Sequence, residues 1–326
     1  MAEHTLLEAV NLALRRAMAD DERVLVLGED VGVDGGVFRA TDGLQQAYGA
    51  NRVLDTPLAE TAIAGIAIGL AAQGFRPVAE IQFMGFIYPA IDQLISHASR
   101  LRTRTRGRLS CPMVLRAPYG GGVHAPEHHS ESTEAMLAHI PGLRVVIPSS
   151  PRRAYGLLLA AIQDPDPVVF LEPKRIYRAF REALDDDGVA LPLDRAEILR
   201  AGTDLTIIGW GAMLRECLSA AEALAADGVS AEVIDVATLK PLDSATLLAS
   251  ARRTGRVLIV HEAARTAGYG AEIAARIAEE AMFELEAPIV RVTGYDTVMP
   301  LPGLEQKYMP NRARILAAAH RVLNPS

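Results

Sequence analysis

Short runs rich in Val, Ile and Leu alternate with longer helical patterns along the whole chain, and this alternation restricts the possible folds more than any other feature. Strands are expected at "RVLVLG" (23–28), "RVLD" (52–55), "PVAEIQF" (77–83), "MVLRA" (113–117), "RVVIP" (144–148) and "PVVFLE" (167–172). Helices fall between them at about 5–19, 42–49, 57–73, 87–103 and 151–163. That spacing argues for a mostly parallel sheet covered on both faces, since parallel strands need a helix-length crossover.

After "EPKRIYR" (172–178) the pattern lapses into a charged stretch, "AFREALDDDGVALPLDRAE", with Gly188 and Pro192, which reads as a linker. Strands resume at 204–210, 231–236, 256–262 and 288–294, with helices at about 211–227, 243–252, 268–282 and 311–323. No tandem repeat interrupts them. A chain of 326 residues suits two domains, and the expected division is 1–185 and 195–326.

Half of the residues are hydrophobic, 22% are charged and the net charge is −7, which describes a globular protein and gives no sign of a nucleic-acid binder. The one basic cluster, "SRLRTRTRGR" (99–108), reads as a solvated helix end. Cys111 and Cys217 sit in apolar surroundings and read as core thiols of a reducing compartment. The N-terminus is amphipathic rather than signal-like, and the most apolar run, 62–72, is far short of the ~20 residues that span a bilayer. A cytoplasmic protein with no membrane partner is expected.

Three places carry candidate chemistry. In "DTPLAETAIAGIAIGLAAQG" (55–74) a single acid, Glu60, opens an otherwise apolar helix. Asp55 or Thr56 as cap, Pro57 as first residue and an acid near the dipole's positive end explain it as helix chemistry; a ligand hydrogen bond explains it equally well. "PYGGGVHAPEHHSES" (118–132) follows a strand, and its glycines allow a close backbone approach to a ligand. Of His124, His128 and His129, one is suited to acid–base work; a zinc site is disfavoured because adjacent histidines fit one tetrahedral centre poorly and no cysteine joins them. In "EIQFMGFIYPAIDQL" (80–94), Phe83, Phe86 and Tyr88 suit core packing or stacking on a flat heteroaromatic ring. Gly268 and Gly270 resemble half of a dinucleotide fingerprint, but the third glycine is missing, so the segment reads as a strand-to-helix turn. The phosphate loop, the G-x-S-x-G elbow and HExxH are all absent.

The blocks "VLGEDVG", "GGVFRATDGL", "DTPLAE", "EIQF", "PAIDQL", "GGGVHAPEHHSES", "PGLRVVIPSSP", "FLEPKRIYR", "VIDVATLKPLD" and "LEAPIVRVTGYDT" run in order from residue 5 to about 315. They resemble the β subunit of the thiamine-diphosphate-dependent 2-oxo acid dehydrogenases, the decarboxylating first component of the pyruvate and branched-chain complexes. The resemblance implies an α/β fold: a pyrimidine-binding thiamine-diphosphate domain, with a parallel sheet layered by helices, then a transketolase C-terminal-like α/β domain. It also implies an α2β2 heterotetramer whose α subunit holds Mg2+ and the diphosphate, which accounts for the lack of a "GDG" motif with its asparagine in this chain.

Residue by residue, the resemblance makes Glu60 the acid that hydrogen-bonds the aminopyrimidine ring nitrogen, favouring the imino tautomer that takes the thiazolium proton. Burial would raise the pKa of such an acid. Phe86 becomes the aromatic packed on that ring, with Glu29 and Leu58 in blocks that line the cofactor. His129 becomes the residue facing the thiazolium and the lipoyl group, with His128 as the adjacent candidate. A structural K+ is implied on backbone oxygens of Cys111, Met113, Ala161, Asp164 and Asp166.

The implied partners are the lipoyl and peripheral subunit-binding domains of the acyltransferase, docked in part by the C-terminal domain. "EIQF", "FLEPKRIYR" and "LEAPIVRVTGYDT" lean towards a branched-chain substrate such as 2-oxoisovalerate, whereas "GGGVH" looks more like pyruvate-type enzymes and the "VMP" after "GYDT" departs from the branched-chain pattern; on balance a branched-chain 2-oxo acid is expected, with pyruvate next. An acetoin-cleaving β subunit, half of a split transketolase and a non-catalytic scaffold are the alternatives.

Overall fold

The computed structural model describes residues 2–324. The chain divides into two compact units: residues up to Tyr119 with Met136–Leu193, and Gly120–Ala135 with Asp194 onward.

The first unit contains strands β1 (Ala2–His4), β2 (Val24–Gly28), β3 (Val53–Asp55), β4 (Arg76–Glu80), β5 (Val114–Tyr119), β6 (Arg144–Val146), β7 (Val168–Pro173) and β8 (Glu182–Leu184). Its helices are α1 (Leu6–Asp20), α2 (Leu44–Tyr48), α3 (Glu60–Ala72), α4 (Tyr88–Ser96) and α5 (Leu101–Arg104), then α6 (Glu134–His139), which begins just before the unit's second segment, and α7 (Pro151–Gln163). Six strands run parallel in the order β6-β7-β5-β4-β2-β3. β2, β5 and β7 are buried at every position, as strands covered on both faces must be. β3 lies on one side of β2 and β4 on the other. The winding therefore reverses there, and in open α/β sheets the strand ends at such a reversal are where ligands bind.

Helix starts follow local chemistry. Thr5 and Glu8 form a reciprocal capping box on α1. Ser150 caps α7 with Pro151 in its first turn. Two expected helices differ. α3 begins at Glu60 rather than Pro57, because the Asp55 carboxylate accepts N–H bonds from Gly32 (2.6 Å) and Val33 (3.2 Å) and so is engaged away from the helix. The expected 87–103 helix breaks at His97, whose backbone leaves the helical region (φ −126°, ψ −64°), and the Ser96 carbonyl accepts from Arg104 instead.

The stretch expected as a linker is fastened down as far as Leu193. β8 pairs antiparallel with β1, Gly188 N–H donates to the Tyr155 hydroxyl at 2.9 Å, and Leu191 N–H donates to the Gly156 carbonyl at 2.9 Å.

The second unit contains β9 (Glu197–Arg200), β10 (Leu205–Gly209), β11 (Ala231–Asp235), β12 (Thr238–Lys240), β13 (Val257–Val260) and β14 (Val290–Val292). Its helices are α8 (Met213–Ala226), α9 (Ser244–Thr254), α10 (Gly270–Ala281), α11 (Pro302–Tyr308) and α12 (Arg312–Leu323). The sheet order is β14-β13-β10-β11-β9, parallel except for β9 at the edge. Both cysteines are buried free thiols, and burial pushes Cys111 up to about 12. No helix among the described residues is long and apolar enough to cross a membrane.

Candidate active site

Three segments of the first unit reach the strand ends around the reversal. Glu29 follows β2, Glu60 opens α3 after β3, and Gln82, Phe83 and Phe86 follow β4. Gln82 donates to Asp30 at 3.1 Å, tying the β4 end to the β2 end. Glu29 and Glu60 are both half-buried. Burial, with the negative charges of Asp30 and Glu60 beside it, holds the Glu29 carboxyl above the usual range.

Glu60 is not sunk into an apolar core. α3 exposes Thr61, Ala62, Ile66 and Gly69, with Leu58 72% exposed just before it. An apolar face of this kind on an otherwise well-packed chain reads as a partner surface.

Phe86 stands edge-on to Phe83 (5.6 Å between ring centres), Phe83 edge-on to Phe38 (5.4 Å), and Phe38 against Tyr177 (5.2 Å). Behind them lies a buried ionic network. The Arg116 guanidinium donates to Glu172 through Nε (2.6 Å) and Nη2 (3.0 Å) and to Glu80 through Nη1 (2.8 Å), while the Tyr177 hydroxyl donates to Glu172 at 2.7 Å. Burial and the Glu172 charge raise Glu80, with Arg116 opposing. The sequence reading passed over this network. Its signal was a charged residue inside each of three otherwise apolar strand runs, "PVAEIQF", "MVLRA" and "PVVFLE".

His128 and His129 lie in a single 3-10 turn, Glu127–His129, on the glycine-rich loop, which belongs to the second unit. His128 is exposed and His129 half-buried. The space freed by Gly120 and Gly121 is not left for a ligand: a Cβ there would meet the Glu262 carboxylate and the Met299 methyl, each at 2.4 Å. Gly268 and Gly270 make room in the same way for His261, which stacks on Trp210 at 5.1 Å. Burial, with the Arg291 charge, pushes His261 down to about 3, so it is neutral. α10 starts at Gly270, in keeping with a strand-to-helix turn.

The segments around Cys111, Met113, Ala161, Asp164 and Asp166 meet in the first unit. Met113 N–H donates to the Cys111 carbonyl at 2.8 Å, Val168 N–H to the Met113 carbonyl at 2.9 Å, and Cys111 N–H to the Pro165 carbonyl at 3.2 Å. Asp164 N–H reaches the Ala161 carbonyl at 3.3 Å, and Asp166 N–H the Asp164 carboxylate at 2.8 Å. No cluster of three or more His, Cys, Asp or Glu side chains suited to a metal occurs among the described residues.

Comparison with known proteins agrees with this architecture. The family described as "Transketolase, pyrimidine binding domain" matches residues 3–179, and "Transketolase, C-terminal domain" matches residues 194–315. The fold class is thus the transketolase type. A solved structure titled "Split gene transketolase, inactive beta4 tetramer" superposes with a TM-score of 0.82 at 25% identity, covering 99% of both chains. The chain is 50% identical over 323 residues to the pyruvate dehydrogenase E1 component subunit beta of Bacillus subtilis (strain 168), covering 99% of each. It is also 50% identical over 317 residues to the subunit of the same name from Acholeplasma laidlawii, covering 97% of each. The chain belongs to the E1 β subunits of the 2-oxo acid dehydrogenases, oxidoreductase components of the pyruvate dehydrogenase type that work with an α subunit in a thiamine-diphosphate-dependent setting.

Proposed function

We propose that this chain, joined to an α subunit, decarboxylates pyruvate and passes the acetyl group to a lipoyl domain. One observation carries the site assignment. Two half-buried carboxyls, Glu29 and Glu60, and the Phe83–Phe86 pair stand at the ends of parallel strands where the winding of the sheet reverses. A polarised heteroaromatic ring needs such a set: a carboxyl for a ring nitrogen and an aromatic edge for its face. Thiamine diphosphate, when bound, supplies the electron sink for cleavage next to a carbonyl.

The chain's own groups do the rest. Glu60 would hydrogen-bond the ring nitrogen. Glu29, which burial and the charges of Asp30 and Glu60 hold above the usual carboxyl range, is the second carboxyl at these strand ends. Phe86 fixes the ring, and Leu58 excludes water once a partner covers it. In the net reaction the bond between carboxylate and carbonyl carbon breaks with loss of CO2. A carbon–sulfur bond forms, the lipoyl S–S bond takes the two electrons, and the second sulfur takes a proton, which His129 holds. His128 is placed beside it for contact with the lipoyl arm. Mg2+ is assigned to the α subunit, and the second unit is assigned the docking of the acyltransferase's peripheral subunit-binding domain.

A K+ ion on the carbonyls of Cys111, Met113 and their neighbours fits the chemistry of that corner, since each carbonyl keeps a second lone pair after its N–H bond.

Pyruvate is favoured over 2-oxoisovalerate because the relatives at 50% identity are named for pyruvate. Selectivity for one or two methylenes amounts to about 1–3 kcal/mol, so the choice is a matter of rates rather than of all or none. The test is a panel of pyruvate, 2-oxoisovalerate, acetoin and a ketose phosphate given to the αβ complex with a dye acceptor. Highest kcat/KM for pyruvate is expected. Turnover of the ketose phosphate or acetoin alone would replace the dehydrogenase reading, and turnover of none would favour a scaffold.

A further inference from the structure

The loop carrying His128 and His129 makes tight turns. Gly120, Gly122 and His124 all have positive φ (+81°, +88° and +58°), a conformation that glycine adopts freely but that His124 keeps where the surroundings impose it. Two carboxylates do this. Glu262, 3% exposed, lies just past β13, and Glu305, 1% exposed, lies in α11. Gly121 N–H donates to Glu262 Oε2 at 3.1 Å. Gly122 N–H donates to Glu305 Oε1 at 2.8 Å and His124 N–H to Glu305 Oε2 at 3.3 Å, with the His124 imidazole Nε2 3.4 Å from the same oxygen.

Buried carboxylates persist where hydrogen bonds compensate for lost water, and here backbone N–H groups of one loop do so. The glycines make the approach close enough, because a Cβ on Gly120 would lie 2.4 Å from Glu262 Oε1. Three residues beyond His124, the same loop enters the turn that holds His128 and His129.

We propose that Glu262 and Glu305 are positioning residues for the acyl hand-over. They lock the glycine-rich loop of the second unit into the one conformation that presents the His128–His129 turn. The transketolase C-terminal domain would then take part in the chemistry by holding the histidines, besides any role in assembly. The inference rests on the role proposed above for His129.

The test uses the αβ complex with Glu305→Gln, Glu262→Gln and, as a reference, His129→Ala. At Glu305, which accepts from two backbone N–H groups, a glutamine turns its NH2 toward one of them, so one hydrogen bond is lost with little change of volume; at Glu262 it removes the charge that strengthens the bond from Gly121 N–H. Two readings are taken: hydrogen–deuterium exchange of the 120–135 segment, and the ratio of acetyl transfer to a lipoyl domain over dye-coupled decarboxylation. Each Gln variant is expected to exchange faster in that segment, with α8 and β11 unaltered, and to lower the ratio about tenfold, since small misplacements of a reacting group carry penalties of that order or more.

Unchanged exchange in both variants, or a loosened loop with an unchanged ratio, would overturn the proposal. If His129→Ala leaves the ratio intact, it is the role of His129 that fails, and the exchange data still decide whether the carboxylates hold the loop. Should a Gln variant not assemble, Gly122→Ala, which puts a Cβ on backbone at φ +88°, strains the loop with both carboxylates in place and must lower the ratio in the same way.

Discussion

Arg116 shows how much one residue can govern. Its guanidinium lies between two buried carboxylates, and removing it would leave Glu80 and Glu172 facing each other inside the sheet. Arg116→Met is therefore expected to destabilise the protein by about 3–5 kcal/mol, read by urea unfolding. Tyr177→Phe removes one hydroxyl donor to Glu172 and should cost only about 1–2 kcal/mol. Glu29 gives a pH signature. Its folded-state value is raised, so its contribution to stability is present below the ordinary value of 4.5 and is lost as pH rises through the folded value. Glu29→Gln should thus narrow the difference in melting temperature between mildly acidic and neutral pH. Glu60→Gln, by contrast, should abolish decarboxylation while the αβ complex still assembles; near-normal turnover would remove Glu60 from the site. These residues were unequally legible. Glu60 stood out as a lone acid in an apolar run, whereas Glu80, Arg116 and Glu172 acquire meaning only once β4, β5 and β7 lie side by side.

Among the elements, α7 and α3 make an instructive pair. α7 was readable to the residue, because Ser150 and Pro151 define its start through contacts only three positions long. The start of α3 was not, because the expected cap, Asp55, bonds to Gly32 and Val33, more than twenty positions back in the chain. Its exposed apolar face carries a prediction of its own. Ile66 is 49% exposed, so Ile66→Lys should leave the isolated chain folded but weaken its association with the α subunit, as measured by analytical ultracentrifugation. α11, in "PGLEQKY", escaped notice because seven residues give too short a periodicity to recognise, yet it supplies the buried Glu305.

At the scale of the whole molecule, the function proposed above divides the cofactor site between this chain and an α subunit. Thiamine diphosphate with Mg2+ at a hundred to a thousand times Kd should stabilise the αβ complex by about 2.7–4.1 kcal/mol and shift the purified β chain hardly at all, a contrast readable by thermal melting. The sequence by itself determined the layered α/β class and the family, because apolar periodicity, turn residues and long motif blocks are local properties of the chain. Tertiary structure decided that the glycine-rich loop belongs to the second unit, that Glu262 and Glu305 shape it, and that Arg116 is neutralised twice over. Those outcomes depend on hydrogen bonds and ion pairs between residues 36 to 183 positions apart, whose strength comes from shared burial and cannot be assigned to any one segment.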